Sequence, residues 1–548
     1  MTDGTHGSKR SVKGNGTAWD CEVDVVVVGF GGAGACAAIE AVDRGSSVLV
    51  VERFNGGGAT GMSGGVIYSG GGTPYQKEAG FEDTPENMFN YLEMEVTDAV
   101  STETLRAFCE QSRDNISWLE AQGVRFGSTL CPTKTSYPPD QYYLYYSGNE
   151  SILPYRTKAT PAPRGHRVVG KGLTGGALFA PLKKSVLKKG VEVRYRSKAK
   201  HLVTDENGNV IGLEFSSPPA YGPRAHIHRL VGYIAYQLGA VAIVLPGFTR
   251  ALRALFGALE LRAPTIRVRA RQGVILAGGG FAFNGQAMKE YAPAYSAGAP
   301  LGTIADDGSG IRLGESVGGA TGLMSRISAW RFITPPEALV KGILVDSEGK
   351  RICNEQFYGA RIGEVMAENH GGKAKLIIDA EIWKLARRSI GGGQTSWLQT
   401  MMALTNLHIN RKKAKSIDKL ASRCGIPTDN LRATVESYNE AAQRGNDDSM
   451  GKAPVHLQPL ASPPFYAIDC ALGNKLSPCA IISLGGLVVD EASGEVKRED
   501  GSVINGLYAA GRNAIGIPSK GYVSGLAIAD CVFSARRAAA HAAAKGRQ

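Results

Sequence analysis

The chain has 548 residues, of which 43% are hydrophobic and 20% charged, with a formal net charge of +12; this length predicts two or three domains and this composition a folded globular protein, excluding disordered and fibrous classes. Nine scattered cysteines with no C-x-x-C pair and no histidine at metal spacing argue against a disulfide frame or a metal site, and predict reduced thiols in a cytoplasmic protein. The basic excess has no aromatic-studded stripe or recognition motif, so nucleic acid is not an expected partner, and an anionic lipid surface fits better.

Residues 1–20 are polar, glycine-rich and basic without an apolar core, and are expected to be a disordered tail rather than a signal or anchor. Val25 to Val28 then read as a strand buried on both faces. Gly29-Phe30-Gly31-Gly32-Ala33-Gly34 supplies G-x-G-x-x-G. In such a turn Gly29 permits the bend, Gly31 lets backbone approach a pyrophosphate, and Gly34 lets the next helix pack against the strand. The helix from Ala35 to about Asp43 turns its N-terminal amides toward phosphate. Ser47 to Val51 is a second strand, ending in Glu52 and Arg53, and the Glu52 carboxylate can accept ribose hydroxyls. Strand, turn, helix and acid together predict a dinucleotide site. A ribbon of small residues follows, including Ala59, Thr60, Ser63, Gly64 and Gly65, then Gly70 to Thr73. It can wrap a flat ring closely while free amides meet its heteroatoms.

This combination resembles the flavoproteins grouped with fumarate reductase and the 3-ketosteroid dehydrogenases, whose corresponding loop lies along the isoalloxazine of FAD. The resemblance continues through Val274 to Phe281, which carries Gly278 and Gly279, and through Asp306 to Leu313, which carries Asp307 and Gly308. It closes with Gly506 to Arg512, including Gly511, and with Gly521 to Asp530, which begins a helix whose N-terminal amides, with Ser524 and Leu526, face the flavin. The implied fold is α/β: a Rossmann-like FAD-binding domain over 21–322 and 465–548, with an inserted α+β lid domain over 323–464. The implied cofactor is non-covalent FAD, since no histidine in the ribbon is placed to tether it.

Between these signatures, 85–122 is helical in pattern, with Thr84 as N-cap of the first helix. Tyr137 to Tyr146 is unusually aromatic, either an apolar wall for a large ligand or the packing of an irregular loop. Lys171 to Gly176 opens another helix. Val191 to Val203 and Val210 to Phe215 resemble the family's small β-meander. Residues 218–264 are an extra apolar helical insertion, uncharged from Leu230 to Thr249 and rimmed by arginines such as Arg224, Arg250 and Arg253. It fits a monotopic anchor in one leaflet, or a buried hairpin at an interface. In the lid, Leu376 to Asp379 with helices from Ala380, Ser416 and Thr428 surround an R-x-x-N-E turn at Arg351 to Glu355 that leads to Tyr358. Trp383, Trp397, Met401 and Met402 are candidates for a substrate channel.

Fumarate reductases hold a dicarboxylate with an arginine and a histidine near the last segment, and Ile517 to Tyr522 has neither. The Tyr-x-Ser-Gly found there resembles 3-ketosteroid 4-dehydrogenases more than 1-dehydrogenases. The implied reaction forms the C4–C5 double bond by proton removal beside the ketone and hydride transfer to flavin. Tyr522 is expected as base or carbonyl partner, Ser524 as relay and Tyr358 as its counterpart, with amides near Gly525 polarising the keto oxygen. The motif does not decide which tyrosine takes the proton. Expected partners are a 3-ketosteroid, an external acceptor such as a quinone, and the inner face of the cell membrane. A 1-dehydrogenase, a fumarate-type reductase and an electron-transfer subunit are the alternatives.

Overall fold

The computed structural model describes residues 12–13, 18–217, 226–227, 230, 263–390, 395–445 and 448–545. Its centre is a nine-stranded sheet built around the all-valine end of the strand Cys21–Val28. Val25, Val26 and Val27 are completely buried because helices or strands cover both faces. The strand Val48–Val51 pairs with it in parallel on one side, and Glu192–Arg194 pairs in parallel with Val48–Val51 beyond.

On the other side lies the twelve-residue strand Thr265–Leu276, which serves two pairings. Along one edge its first half runs antiparallel to Val210–Ser216 and its second half parallel to Val503–Ala509, while Val268 to Leu276 runs parallel to Cys21–Val28 along the other. A register shift between Ala270 and Gly273 separates the halves, and Gly273 takes φ 141°, open to glycine alone at little cost. The meander is therefore Lys198–Thr204, Val210–Ser216 and the start of Thr265–Leu276, while Glu192–Arg194 belongs to the parallel part. Within the stretch expected to be a tail, Val12–Lys13 pairs in parallel with Val203 and Thr204.

The helix Gly32–Asp43 packs on one face of the sheet against Leu526–Lys545, the C-terminal helix. Their contact is lined by alanines, among them Ala35, Ala38, Ala535 and Ala539, which let the two backbones approach. The stretch 85–122 is three helices, Pro85–Val96, Thr102–Glu110 and Ser112–Ala121, with the Thr84 side chain accepting the Asn87 amide at 3.0 Å as the N-cap.

A separate core forms around a four-stranded antiparallel sheet, Ile343–Val345, Lys375–Ile378, Phe465–Asp469 and Arg411–Ala414. Helices Gly359–Asn369, Ala380–Ser389, Trp397–His408, Ile417–Cys424 and Thr428–Arg444 accompany it. The R-x-x-N-E turn is held here by buried charge: Arg351 pairs with Glu355 at 2.6 Å and with Asp448, and Lys452 pairs with Glu355 at 2.8 Å. The two cores are joined by Ile327–Trp330, which pairs antiparallel with Ala480–Ser483. Nearly all of the apolar insertion at 218–264 lies outside the described residues. Among the described residues no helix is long and apolar enough to cross a membrane.

Candidate active site

One cavity of about 660 Å³ runs from the glycine turn to Tyr522. At its first end Gly29 leaves the strand at φ 100°, where an added Cβ would lie 2.6 Å from the Ala277 carbonyl oxygen. A Cβ on Gly34 would lie 1.9 Å from the Gly29 oxygen, so the helix sits against the strand only because Gly34 has no side chain. Gly31 is different: its Cβ would meet nothing closer than 3.7 Å, which leaves space on the cavity side for a ligand. The Glu52 carboxylate braces the turn, accepting the Phe30 amide at 2.7 Å and the Phe54 amide at 2.6 Å. Burial pushes its carboxyl up from the ordinary range while those amides pull it down. Its remaining lone pairs are what a ribose would meet.

At the far end the Tyr145 hydroxyl donates to Ser524 Oγ at 2.9 Å, and Tyr358 lies near enough to the same serine for it to pull the Tyr358 pKa down against the stronger effect of burial. Tyr145 comes from the short strand Leu144–Tyr145, Tyr358 from the residue before Gly359–Asn369, and Ser524 from the turn before Leu526–Lys545. Tyr522 lines the same cavity and stacks on Trp330 with ring centroids 5.3 Å apart. The Gly525 amide lies near the Tyr522 hydroxyl and pulls its pKa down against burial, so this phenol and this amide sit at one place on the wall. Burial raises the pKa of Tyr522, Tyr358 and Tyr145 alike. All three are neutral phenols across the working range, and none stands ready as a phenolate.

Of the residues the sequence singled out, Gly29, Gly31, Gly32, Ala33, Glu52, Arg53, Ala59, Thr60, Ser63, Gly64, Gly278, Gly279, Arg512, Tyr358, Tyr522, Ser524 and Gly525 line this cavity. The rest stand behind it for separate reasons. Gly34 carries the helix–strand contact, and Gly65, at φ 61°, is pressed on Thr174. Asp307 pairs with Arg53 at 3.0 Å and accepts the Ser309 amide, while Gly308 is the left-handed N-cap of Ser309–Glu315. Gly511 packs on Cys531 and Ala33, and Leu526 is buried in the helix core. The neighbours Asp306, Ser309 and Gly310 take the cavity wall instead of Asp307 and Gly308. Met402 and Leu398 line the cavity; Trp397 and Met401 are exposed beside it, and Trp383 packs on Tyr466.

Sequence reasoning passed over Trp330, Phe332 and the specific role of Tyr145. A cluster of tyrosines before a Gly-x-Glu turn marks Tyr145 only as aromatic, since its Ser524 partner is 379 residues away. Arg331 also reaches the cavity wall, but its guanidinium donates to the carbonyls of Ser477 and Ala471 at 2.9 Å each. It is a strut between segments and offers no free fork to a dicarboxylate.

The sequence matches the FAD binding domain family over residues 24–525. The chain belongs to that family. Among its relatives, a 3-oxo-5-alpha-steroid 4-dehydrogenase of Comamonas testosteroni is 39% identical over 497 residues, covering 90% of this chain and 93% of that one. A 3-oxosteroid 1-dehydrogenase of Mycobacterium tuberculosis is 28% identical, covering 89% and 92%. Among solved structures, the 3-ketosteroid-delta4-(5alpha)-dehydrogenase of Rhodococcus jostii RHA1, in complex with 4-androstene-3,17-dione, superposes with a TM-score of 0.82 at 32% identity, covering 97% and 99%.

The cavity fits the family's cofactor on this chain's own terms. A dinucleotide turn opens it, the glycine-lined wall from Gly58 to Gly64 continues it, and it stays connected to the tyrosine cluster. Arg512 Nη1 is buried on its wall with no hydrogen-bond partner among the described residues, although Nη2 donates to Asp306 at 2.7 Å. A buried guanidinium nitrogen left this way calls for an acceptor on a bound group.

Proposed function

We propose that this chain is an FAD-dependent 3-ketosteroid 4-dehydrogenase, which forms the C4–C5 double bond of a saturated 3-ketosteroid. The observation that carries the reading is the joining, in one cavity, of the dinucleotide turn with two distinct polar sets, Tyr522 with Gly525 and Ser524 with its two tyrosines. FAD, when bound, supplies the hydride acceptor.

The Tyr522 hydroxyl and the Gly525 amide receive the 3-keto oxygen and stabilise the enolate charge that grows there, which acidifies the proton at carbon 4. Burial keeps Tyr522 protonated, as a hydrogen-bond donor must be, so the tyrosine of this motif is the carbonyl partner. Ser524 takes the carbon-4 proton as it passes its own to Tyr358, and Tyr358, itself a neutral phenol, releases its phenolic proton to solvent in the same relay, with Tyr145 holding the serine oxygen. Trp330, Phe332, Tyr358, Leu398 and Met402 line the cavity, which supports reading the 323–464 segment as its lid.

FAD is held non-covalently: Cys531 is the thiol on the wall, and burial pushes it up to about 12, far from a nucleophilic thiolate. The electron acceptor is an external quinone or similar molecule. The location is cytoplasmic, peripheral on the inner membrane face, through the uncharged, arginine-rimmed 218–264 stretch.

Anaerobic mixing of the yellow protein with a saturated 3-ketosteroid tests this. The flavin should bleach and the product should be unsaturated at carbon 4; unsaturation at carbon 1 would make it a 1-dehydrogenase, and bleaching reversed by fumarate alone would make it a fumarate-type reductase. Tyr522→Phe should abolish turnover with FAD still bound, and surviving turnover would remove Tyr522 from the chemistry.

A further inference from the structure

The helix Trp397–His408 contains no aspartate, glutamate, lysine or arginine. Ala403 and Leu407 turn inward and are buried. Outward, two adjacent rows spaced i, i+4 carry Trp397 with Met401 and Leu398 with Met402, exposed by 76%, 56%, 44% and 39%. Four large apolar side chains on one short helix form a contiguous face of the kind that marks an interaction site.

The position of the face says what it meets. Leu398 and Met402 also line the cavity that ends at Tyr522, and so does Leu173, which is 59% exposed. The face is thus the outer lip of the active-site mouth. Its flank is basic. Trp383 Nε1 donates to the Leu407 carbonyl at 3.0 Å, which ties Ala380–Ser389 to Trp397–His408. Arg387 and Arg388 lie in the last turn of this attached helix, exposed, without a side-chain hydrogen bond or ion pair to another described residue.

We propose that the Trp397–Met402 face docks on the surface of an anionic phospholipid bilayer, so that the cavity mouth opens onto the leaflet in which the substrate is dissolved. This rests on the steroid reading of the site. Tryptophan suits the headgroup boundary, the flexible methionines fill irregular acyl surface, and the two guanidiniums meet lipid phosphates. At 12 residues the helix lies in the interface rather than crossing it. The docking surface is separate in sequence from the 218–264 stretch.

The test is sedimentation of the FAD-loaded full chain with substrate-free vesicles, of phosphatidylcholine alone and of phosphatidylcholine with phosphatidylglycerol. The double variant Trp397→Ser with Met401→Ser should weaken binding to both by about tenfold or more. Arg387→Gln with Arg388→Gln should weaken binding to the anionic vesicles alone, by about fivefold per charge. The serine variant should turn over detergent-solubilised 3-ketosteroid at the parent rate and vesicle-borne 3-ketosteroid more slowly. No vesicle binding by the parent, or binding unchanged in both variants, overturns the proposal. So does a solution dimer that the serine variant splits with vesicle binding unaltered. A parent that turns over no steroid would sink the substrate reading, while the substrate-free vesicles still decide the docking.

Discussion

Ser524 is an ordinary alcohol, and its neighbours decide what it can do. Its oxygen accepts from Tyr145, which leaves its own hydrogen available to the nearby Tyr358. Tyr145 does not line the cavity, so it acts through Ser524 as a positioning residue. Tyr145→Phe should lower kcat by about tenfold, the worth of one hydrogen bond, with KM and the bound-flavin spectrum little changed. Tyr358→Phe should cost on the order of a hundredfold or more, because it interrupts the route of the proton itself. Single-turnover flavin reduction would separate the two. An effect of Tyr145→Phe on KM alone would refute the positioning role.

At the scale of the element, two glycines of one turn separate folding from binding. Gly34→Ala places a Cβ 1.9 Å from the Gly29 oxygen and must push the helix Gly32–Asp43 off its strand. It should destabilise the protein by about 3 kcal/mol, seen as a lowered Tm, and lose flavin as a result. Gly31→Ala meets only van der Waals contact in the protein, so its Tm without cofactor should stay near the parent's while FAD affinity falls. The motif spacing already showed that both glycines were needed. It also assigned Gly31 to the ligand and Gly34 to helix packing, and the folded turn supplies the reason, a Gly29 carbonyl oxygen that leaves no room for a Cβ on Gly34.

Across the whole molecule, buried charge ties the helices under the sheet to the tyrosine cluster. Glu95 on Pro85–Val96 accepts from the Tyr91 hydroxyl and the Asn149 side chain, both at 2.6 Å, and Asn149 in turn accepts the Tyr358 amide at 2.7 Å. Burial raises the Glu95 carboxyl from 4.5 to about 7. A folded-state pKa above the unfolded one favours the protonated form, so this contribution is complete below about 4.5 and is lost as pH rises through about 7. Glu95→Gln keeps the acceptor and cannot ionise. Its Tm should therefore fall less than the parent's between those two values, and an unchanged slope would show that Glu95 does not titrate there.

The sequence by itself determined what local rules govern. Valine runs, a glycine turn and a following acid specify strand, turn and helix through backbone sterics, and they mark the dinucleotide end without any knowledge of the rest. It also placed Tyr522, Ser524 and Gly525 together, because they are consecutive enough to share one turn. Helix starts such as Thr84 were legible for the same reason, and the three-way split of 85–122 was not, since Thr97 to Ser101 breaks a pattern that stays helical on either side. Only the tertiary structure brought Tyr145 to Ser524, turned Arg331 into a strut, put Asp306 rather than Asp307 on the cavity wall and exposed Trp397 beside the mouth. Those contacts join residues far apart in the chain, and periodicity and spacing carry no record of which distant face a side chain will meet.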